Sequence, residues 1–293
     1  MESRPARAYI ALLAIVAAAA TGPIVIRQAQ QAGLPSIYII AARQILTSLI
    51  LAPLVLKRYR AELLSLSPRE WAWLWAGGFL FALNLLFLFL SLEFVSVLVT
   101  SVLRRTTPLW VIWLEIIFLG AVFTRKVWVG LGVNLLGSVT VGLGSGGAIE
   151  GGSNPALGMT LALVGSVSIG LYLLIGRKFG QRLPSLAYSW AVFTATAVIS
   201  SATVMVMGIP LTGYGLTAYL WVLVVTAVTQ FLGHIPINLG LKYFEATYIS
   251  IILQVAVALS AVLAYVQFGE IPSPAQIIGS IVIMVGVFLV SWK

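Results

Sequence analysis

Residues 127–144, VWVGLGVNLLGSVTVGLG, carry no charged side chain, and neither do residues 275–292, AQIIGSIVIMVGVFLVSW. As α-helices, runs of this length cross most of the ~30 Å of hydrocarbon in a bilayer. Each holds two glycines seven residues apart, Gly130 with Gly137 and Gly279 with Gly286. Seven residues make about two helical turns, so each pair shares one face. The pairs are offset by 149 residues, and the same offset lays Phe118-Leu119-Gly120 on Gln267-Phe268-Gly269. A helix, a short loop and a glycine-bearing helix therefore close each half of the chain.

The composition extends this reading to the whole sequence. Of 293 residues, 60% are hydrophobic and 9% charged, with a mean hydropathy of +1.06. Soluble domains carry about 25% charged residues, so this chain cannot dress a water-facing surface. The runs predict ten helices at 8–26, 36–56, 71–91, 95–119, 127–144, 156–176, 185–207, 218–241, 246–268 and 275–292. Turn residues separate them, among them Gly33-Leu34-Pro35, Ser67-Pro68, Gly208-Ile209-Pro210 and Pro272-Ser273-Pro274. Arg4 and Arg7 before Tyr9–Ala20 imitate a secretory signal, but nine further runs follow, so the first run reads as an uncleaved helix.

The basic residues test the layout. With the N-terminus cytoplasmic, the inner segments hold Arg4, Arg7, Lys57, Arg58, Arg60, Arg69, Arg125, Lys126, Arg177, Lys178, Arg182, Lys242 and Lys293, 13 of the 17 Lys and Arg. The outer side holds Arg27, while Arg43, Arg104 and Arg105 fall within spans. An odd number of helices would scramble this asymmetry, so both termini are expected inside. Trp and Tyr at span ends, such as Tyr9, Trp71, Trp128, Tyr219, Trp221 and Trp292, fit interfacial belts. Clusters of this kind report topology, and the net charge of +9 does not point to nucleic acid.

Five spans per half send the second copy into the membrane from the opposite side, an inverted-topology repeat of the kind found in secondary transporters. Residues 1–146 and 156–293 are the expected copies. Arg125-Lys126 follows the fourth span, whereas the equivalent loop carries Glu270. Opposite loop charge is what a copy placed upside down requires.

Several elements of the pattern together resemble the drug/metabolite transporter superfamily and, within it, the EamA-type repeat family. Pro108 in the fourth span, Gly269-Glu270 at the end of the ninth, Gly279 and Gly286 in the tenth and Arg43 in the second match that family's motif. Ala121 stands where the family has Glu in the first copy, and Val257 where it has Pro in the second. The resemblance covers nearly the whole chain and implies an all-α polytopic membrane protein. More loosely, the chain is similar to the YddG-type amino-acid exporters, which implies export of small metabolites across a bacterial inner membrane.

Other chemistries lack their residues. The chain has no Cys and no Asp, and its one His cannot complete a zinc site. No P-loop is present, and no cofactor is expected. Gly142-Leu143-Gly144-Ser145-Gly146-Gly147 matches a dinucleotide fingerprint, but it ends an apolar helix instead of following a strand, so it reads as a linker between the copies. A channel would need a continuous polar path, and a lipid-modifying enzyme would need an activated nucleophile; neither is marked.

Polar residues inside spans are costly in lipid and usually face a cavity. Gln230, His234 and Asn238 recur every four residues along one face of the eighth span, with Pro236 loosening the backbone between them. Arg104 in the fourth span can hold a carboxylate bidentately, and Thr100 lies one turn before it. Asn84 shares a face with Gly77 near mid-depth, and Gln254 occupies the position that the offset equates with Arg105. These seven are the candidate substrate-binding residues; helix-to-helix bonding is the competing role. Arg43 reads as structural, closing the outer side against Glu93, and Phe79, Phe81 and Phe87 as lipid-facing or core. The expected partners are an amino acid or similar metabolite and membrane lipid. Transport is expected to alternate access to a mid-bilayer cavity, running down the solute gradient, with proton-coupled export of other small solutes or drugs, His234 carrying the proton, as the alternative.

Overall fold

The computed structural model describes residues 5–95, 100, 103–144, 154–268, 271 and 273–291. Every regular element among them is a helix: α1 (Ala6–Gln31), α2 (Ser36–Arg58), the short α3 (Arg60–Leu64), α4 (Pro68–Phe94), α5 (Thr107–Leu119), α6 (Arg125–Gly144), α7 (Pro155–Phe179), α8 (Ser185–Val206), α9 (Leu216–Thr226), a π-helix (Ala227–His234), α10 (Ile235–Gly240), α11 (Ala246–Ile252), α12 (Val255–Phe268) and α13 (Pro274–Ser291). Among the described residues, seven helical runs are long and apolar enough to cross a membrane: α1, α2, α4, α6, α7, α8 and the continuous stretch from α9 through α10. Large apolar side chains stand outward along them, Leu13 of α1 at 73% exposure and Ile50 and Leu54 of α2 among them. Such a surface needs lipid beside it. The chain is a multi-pass membrane protein. Gly269-Glu270, the linker residues 145–147 and Trp292 lie outside the described residues, as does the side chain of Glu93.

Two expected spans are interrupted. In the fourth, α5 begins only at Thr107, after a turn at Arg105-Thr106. Pro108 has no N–H to return to the carbonyl of Arg104; the Thr107 hydroxyl donates to that carbonyl instead, at 2.8 Å. The Leu109 N–H donates to Thr106 O, which leaves Arg105 O without its usual helical donor. The ninth span breaks at Leu253-Gln254, where the N–H groups of Gln254 and Ala256 reach only three residues back. This break occurs without a proline and overlaps the first at the 149-residue offset, which equates Arg105 with Gln254.

The chain forms two compact units, and each draws on both halves of the sequence. Residues 1–82 and 175–243 make the first; residues 83–174 and 244–293 make the second.

In the first unit, α2 lies along α8, where the Ser48 and Thr194 hydroxyls meet at 2.6 Å. Gly78 lets α4 touch α8: a Cβ there would sit 2.7 Å from Val192 O, and the Thr196 hydroxyl donates to Gly78 O at 3.0 Å. One end of the unit gathers basic residues. Arg7 lies over Tyr243, Arg177 donates to Leu241 O, Lys178 lies over Trp73, and Arg182 pairs with Glu70 at 2.6 Å. Partial burial, and then Arg7, hold the Lys242 ammonium below the usual lysine range. At the other end Gly33, with φ of 93°, turns the chain from α1 into α2. Ala29, Leu34, Ile39, Ala218, Val222 and Val225 pack beside that turn.

In the second unit, α6 and α13 cross antiparallel on their glycines. A Cβ on Gly130 would sit 2.8 Å from Gly286 O, and one on Gly137 2.7 Å from Gly279 O. The glycine pairs read from the sequence are therefore the positions where two backbones touch, which small residues alone permit. Exchanging each residue with its partner 149 positions away turns the first contact into the second, as a local two-fold axis would. The Glu115 carboxylate, 1% exposed, accepts the N–H groups of Ala246 and Thr247 at 2.9 and 3.0 Å. It thereby caps the start of α11 from α5.

Candidate functional site

The seven residues picked from the sequence divide between the units: Gln230, His234 and Asn238 in the first, Asn84, Thr100, Arg104 and Gln254 in the second. Each is best described with the groups it meets.

In the first unit the three residues sit on a backbone that is not a plain α-helix. Eight residues from Ala227 run as a π-helix, closed by the Ile235 N–H donating to Gln230 O five residues back. Pro236 cannot donate to Leu232, and the ladder upstream of it is one residue longer per turn. The loosening expected at Pro236 thus takes a definite form.

Gln230 is fully buried and donates through Nε2 to Gln44 Oε1 at 2.6 Å. One residue earlier on both helices, Arg43 Nη1 donates to Thr229 Oγ1 at 3.3 Å. These two rungs tie α2 to the π-helix, and neither Gln44 nor Thr229 was marked by the sequence reading. Asn238 donates to Ser189 Oγ at 2.9 Å. His234 packs edge-on against the Phe81 ring, centroid to centroid 4.6 Å, and lies 6.4 Å from Phe193. Phe81 is therefore a core residue beside the imidazole, whereas Phe79 is exposed. Arg43 finds its bonding partner in Thr229 within this unit.

In the second unit, Arg104 donates through Nη2 to Asn84 Oδ1 at 3.1 Å. Asn84 is 2% exposed, so a rigid, buried amide aims the guanidinium. No other group among the described residues bonds the Arg104 guanidinium. Thr100 accepts from the Ser91 hydroxyl at 3.2 Å. Gln254 Nε2 donates to Arg105 O at 3.0 Å, the carbonyl that the turn before Pro108 leaves open. The two positions that the 149-residue offset equates thus meet each other directly. Thr100, Asn238 and Gln254 are all engaged in bonds between helices or across turns.

An apolar groove of about 550 Å³ opens in the first unit between α2 and α9, lined by Tyr38, Ile45, Leu49, Tyr219, Leu220 and Leu223. None of the seven residues lines it.

Long apolar helices with polar side chains bonded across them make up a multi-pass membrane protein. The chain belongs to the EamA-like transporter family, whose model matches residues 6–143 and again 156–292, and so to the drug/metabolite transporter superfamily. Its members are transporters and not enzymes. A solved crystal structure with 19% sequence identity superposes with a TM-score of 0.81, covering 99% of this chain and 97% of that one. That similarity concerns the fold. Among curated proteins, none matches this sequence.

Proposed function

We propose that the protein exports small metabolites, amino acids first, across a bacterial inner membrane by alternating access, down the solute gradient. In this reading ten spans form two inverted five-helix copies, residues 1–146 and 156–293, with both termini cytoplasmic. The basic residues gathered at one end of the first unit support the orientation, because cytoplasmic ends are enriched in Lys and Arg. The exchange of equivalent contacts between α6 and α13 supports the inverted copies.

The observation that carries the solute class is the Asn84–Arg104 pair. A guanidinium inside a span, aimed by one neutral amide and otherwise unbonded by the described residues, presents donors suited to a carboxylate. Thr100 and Gln254 then serve as further polar groups within the same unit, and Gln230, His234 and Asn238 as candidate solute contacts of the first unit. For the facilitative mode the support is His234: it packs against phenylalanine, and its Nδ1 makes no hydrogen bond among the described residues, whereas a proton relay needs a bonded chain. Proton-coupled export is the alternative.

Counterflow in proteoliposomes with labelled amino acids, sugars and organic cations tests this. Amino acids are expected to exchange, without dependence on a pH gradient. Exchange of cations with no exchange of amino acids would overturn the substrate class, and reporter fusions at the C-terminus that read as periplasmic would overturn the orientation.

A further inference from the structure

The two rungs between α2 and the π-helix leave their polar groups half used. Arg43 is 4% exposed, and Gln44 and Gln230 are fully buried. Nevertheless Arg43 Nε, Gln44 Nε2, Gln230 Oε1 and, one turn along, His234 Nδ1 are closed off from solvent with no hydrogen-bond partner among the described residues. The amide orientations do not remove the deficit. Turning both glutamines over makes Gln44 the donor, and one NH₂ and one carbonyl still remain open. Buried polar groups are nearly always satisfied, so four open ones on two facing elements need a reason.

Two features supply one. The groups cluster on the element whose backbone departs from the α-helix, and π-helical turns are commonly functional. The cluster is also unbalanced: a cationic guanidinium with a free N–H stands beside a free amide NH₂, and the aromatic faces of Phe81 and Phe193 flank the imidazole. Such a set complements a carboxylate next to an apolar body. We propose that this face is a stretch of the solute path that the present conformation holds shut, and that on opening Arg43 and the amide pair receive the carboxylate of the passing solute. Arg43 then binds solute as well as bracing α2. The inference rests on the transporter reading, but its test separates the two.

The chain contains no cysteine, so Gln44→Cys places a single thiol in the cluster. In proteoliposomes a small, membrane-impermeant methanethiosulfonate reagent should label it. L-leucine and 4-methylpentanoate, which share a carboxylate, should slow labelling several-fold, while L-leucinamide should not. A thiol that labels only after denaturation overturns the path. Equal protection by L-leucinamide, or no protection by either carboxylate, overturns the carboxylate assignment. If 4-methylpentanoate protects while L-leucine neither protects nor exchanges through the unmodified protein, the amino-acid reading falls and this site stands.

A second variant guards against misfolding. Gln44→Leu with Gln230→Leu removes both halves of the amide pair, and its melting temperature should equal or exceed that of the unmodified protein. Its counterflow should fall about tenfold or more, as the loss of a hydrogen bond to a charged group entails. Normal counterflow in the folded double variant would show that the pair is packing alone and refute the proposal.

Discussion

Gly132 and Gly137 lie on the same helix, α6, and replacing either by alanine brings the same gain in helix propensity, up to about 1 kcal/mol. Their surroundings differ. A Cβ on Gly132 meets nothing within 4 Å, while one on Gly137 would lie 2.7 Å from both Gly279 O and Ile283 N. Ordinary contact begins near 3.4 Å, and 3.4 − 2.7 leaves α13 to retreat by 0.7 Å. Both neighbours are backbone and cannot swing aside, and the retreat would loosen the Gly130–Gly286 contact on the same pair of helices. Overpacking of this kind costs about 1–3 kcal/mol, so Gly137→Ala is expected to be destabilising after the propensity gain, by about 1–2 kcal/mol. At roughly 2–4 °C per kcal/mol for a chain of this size, its melting temperature falls by about 2–8 °C. Gly132→Ala holds or rises by a degree or two. Intrinsic tryptophan fluorescence in detergent, at one fixed scan rate for all proteins, reads both. If Gly137→Ala melts at or above Gly132→Ala, the close crossing of α6 and α13 is not what holds this unit, and the reasoning fails.

Three further outcomes follow from single contacts. Gln254→Leu leaves Arg105 O without a donor inside the second unit and should cost about 1–3 kcal/mol, read as a lower melting temperature, whereas an unchanged melt would mean that this carbonyl finds another partner. Glu115→Gln keeps one acceptor oxygen and loses the charge facing two N–H groups, so it should lose about 1.5–3 kcal/mol; Glu115→Leu should lose more, and equal stability of the two would refute the capping role. Arg104→Lys keeps the charge but loses the planar fork, so amino-acid KM in counterflow should rise with folded protein retained, and Asn84→Ala should do the same through loss of aim. Unchanged transport in both, and in His234→Ala, would return these residues to helix bonding.

Much of the helical layout was legible, for a simple reason. Where one segment decides alone, as in α1, α2 and α6 through α8, hydropathy and turn residues place a helix to within a few residues. The glycine spacing marked the faces on which α6 and α13 meet, though not that they meet each other, because a contact without side chains leaves small residues as its trace. The breaks at Arg105-Thr106 and Leu253-Gln254 were not legible as breaks. Pro108 marks only the first, where the nearby Thr107 Oγ1 and the distant Gln254 Nε2 satisfy the freed carbonyls. Candidate-site partners were hidden for the same reason. Gln44 and Gln230 are 186 positions apart, and each in isolation is one polar residue in an apolar run. Arg43 was given to structure against Glu93; its bond to Thr229 depends on the facing of two helices, which no local pattern encodes.

The bond from Gln254 to Arg105 has a consequence for how such a chain can diverge. Two identical subunits meeting on a two-fold axis must place the same side chain opposite itself, and any substitution there appears twice. Joined end to end in one polypeptide, the copies escape that rule. One arm can carry Pro108 and an exposed carbonyl while the other carries Val257 and the amide that answers it. A donor facing an acceptor is an arrangement that identical residues at the axis achieve less readily. The single chain can therefore bend its two arms by different means and still close them on one another.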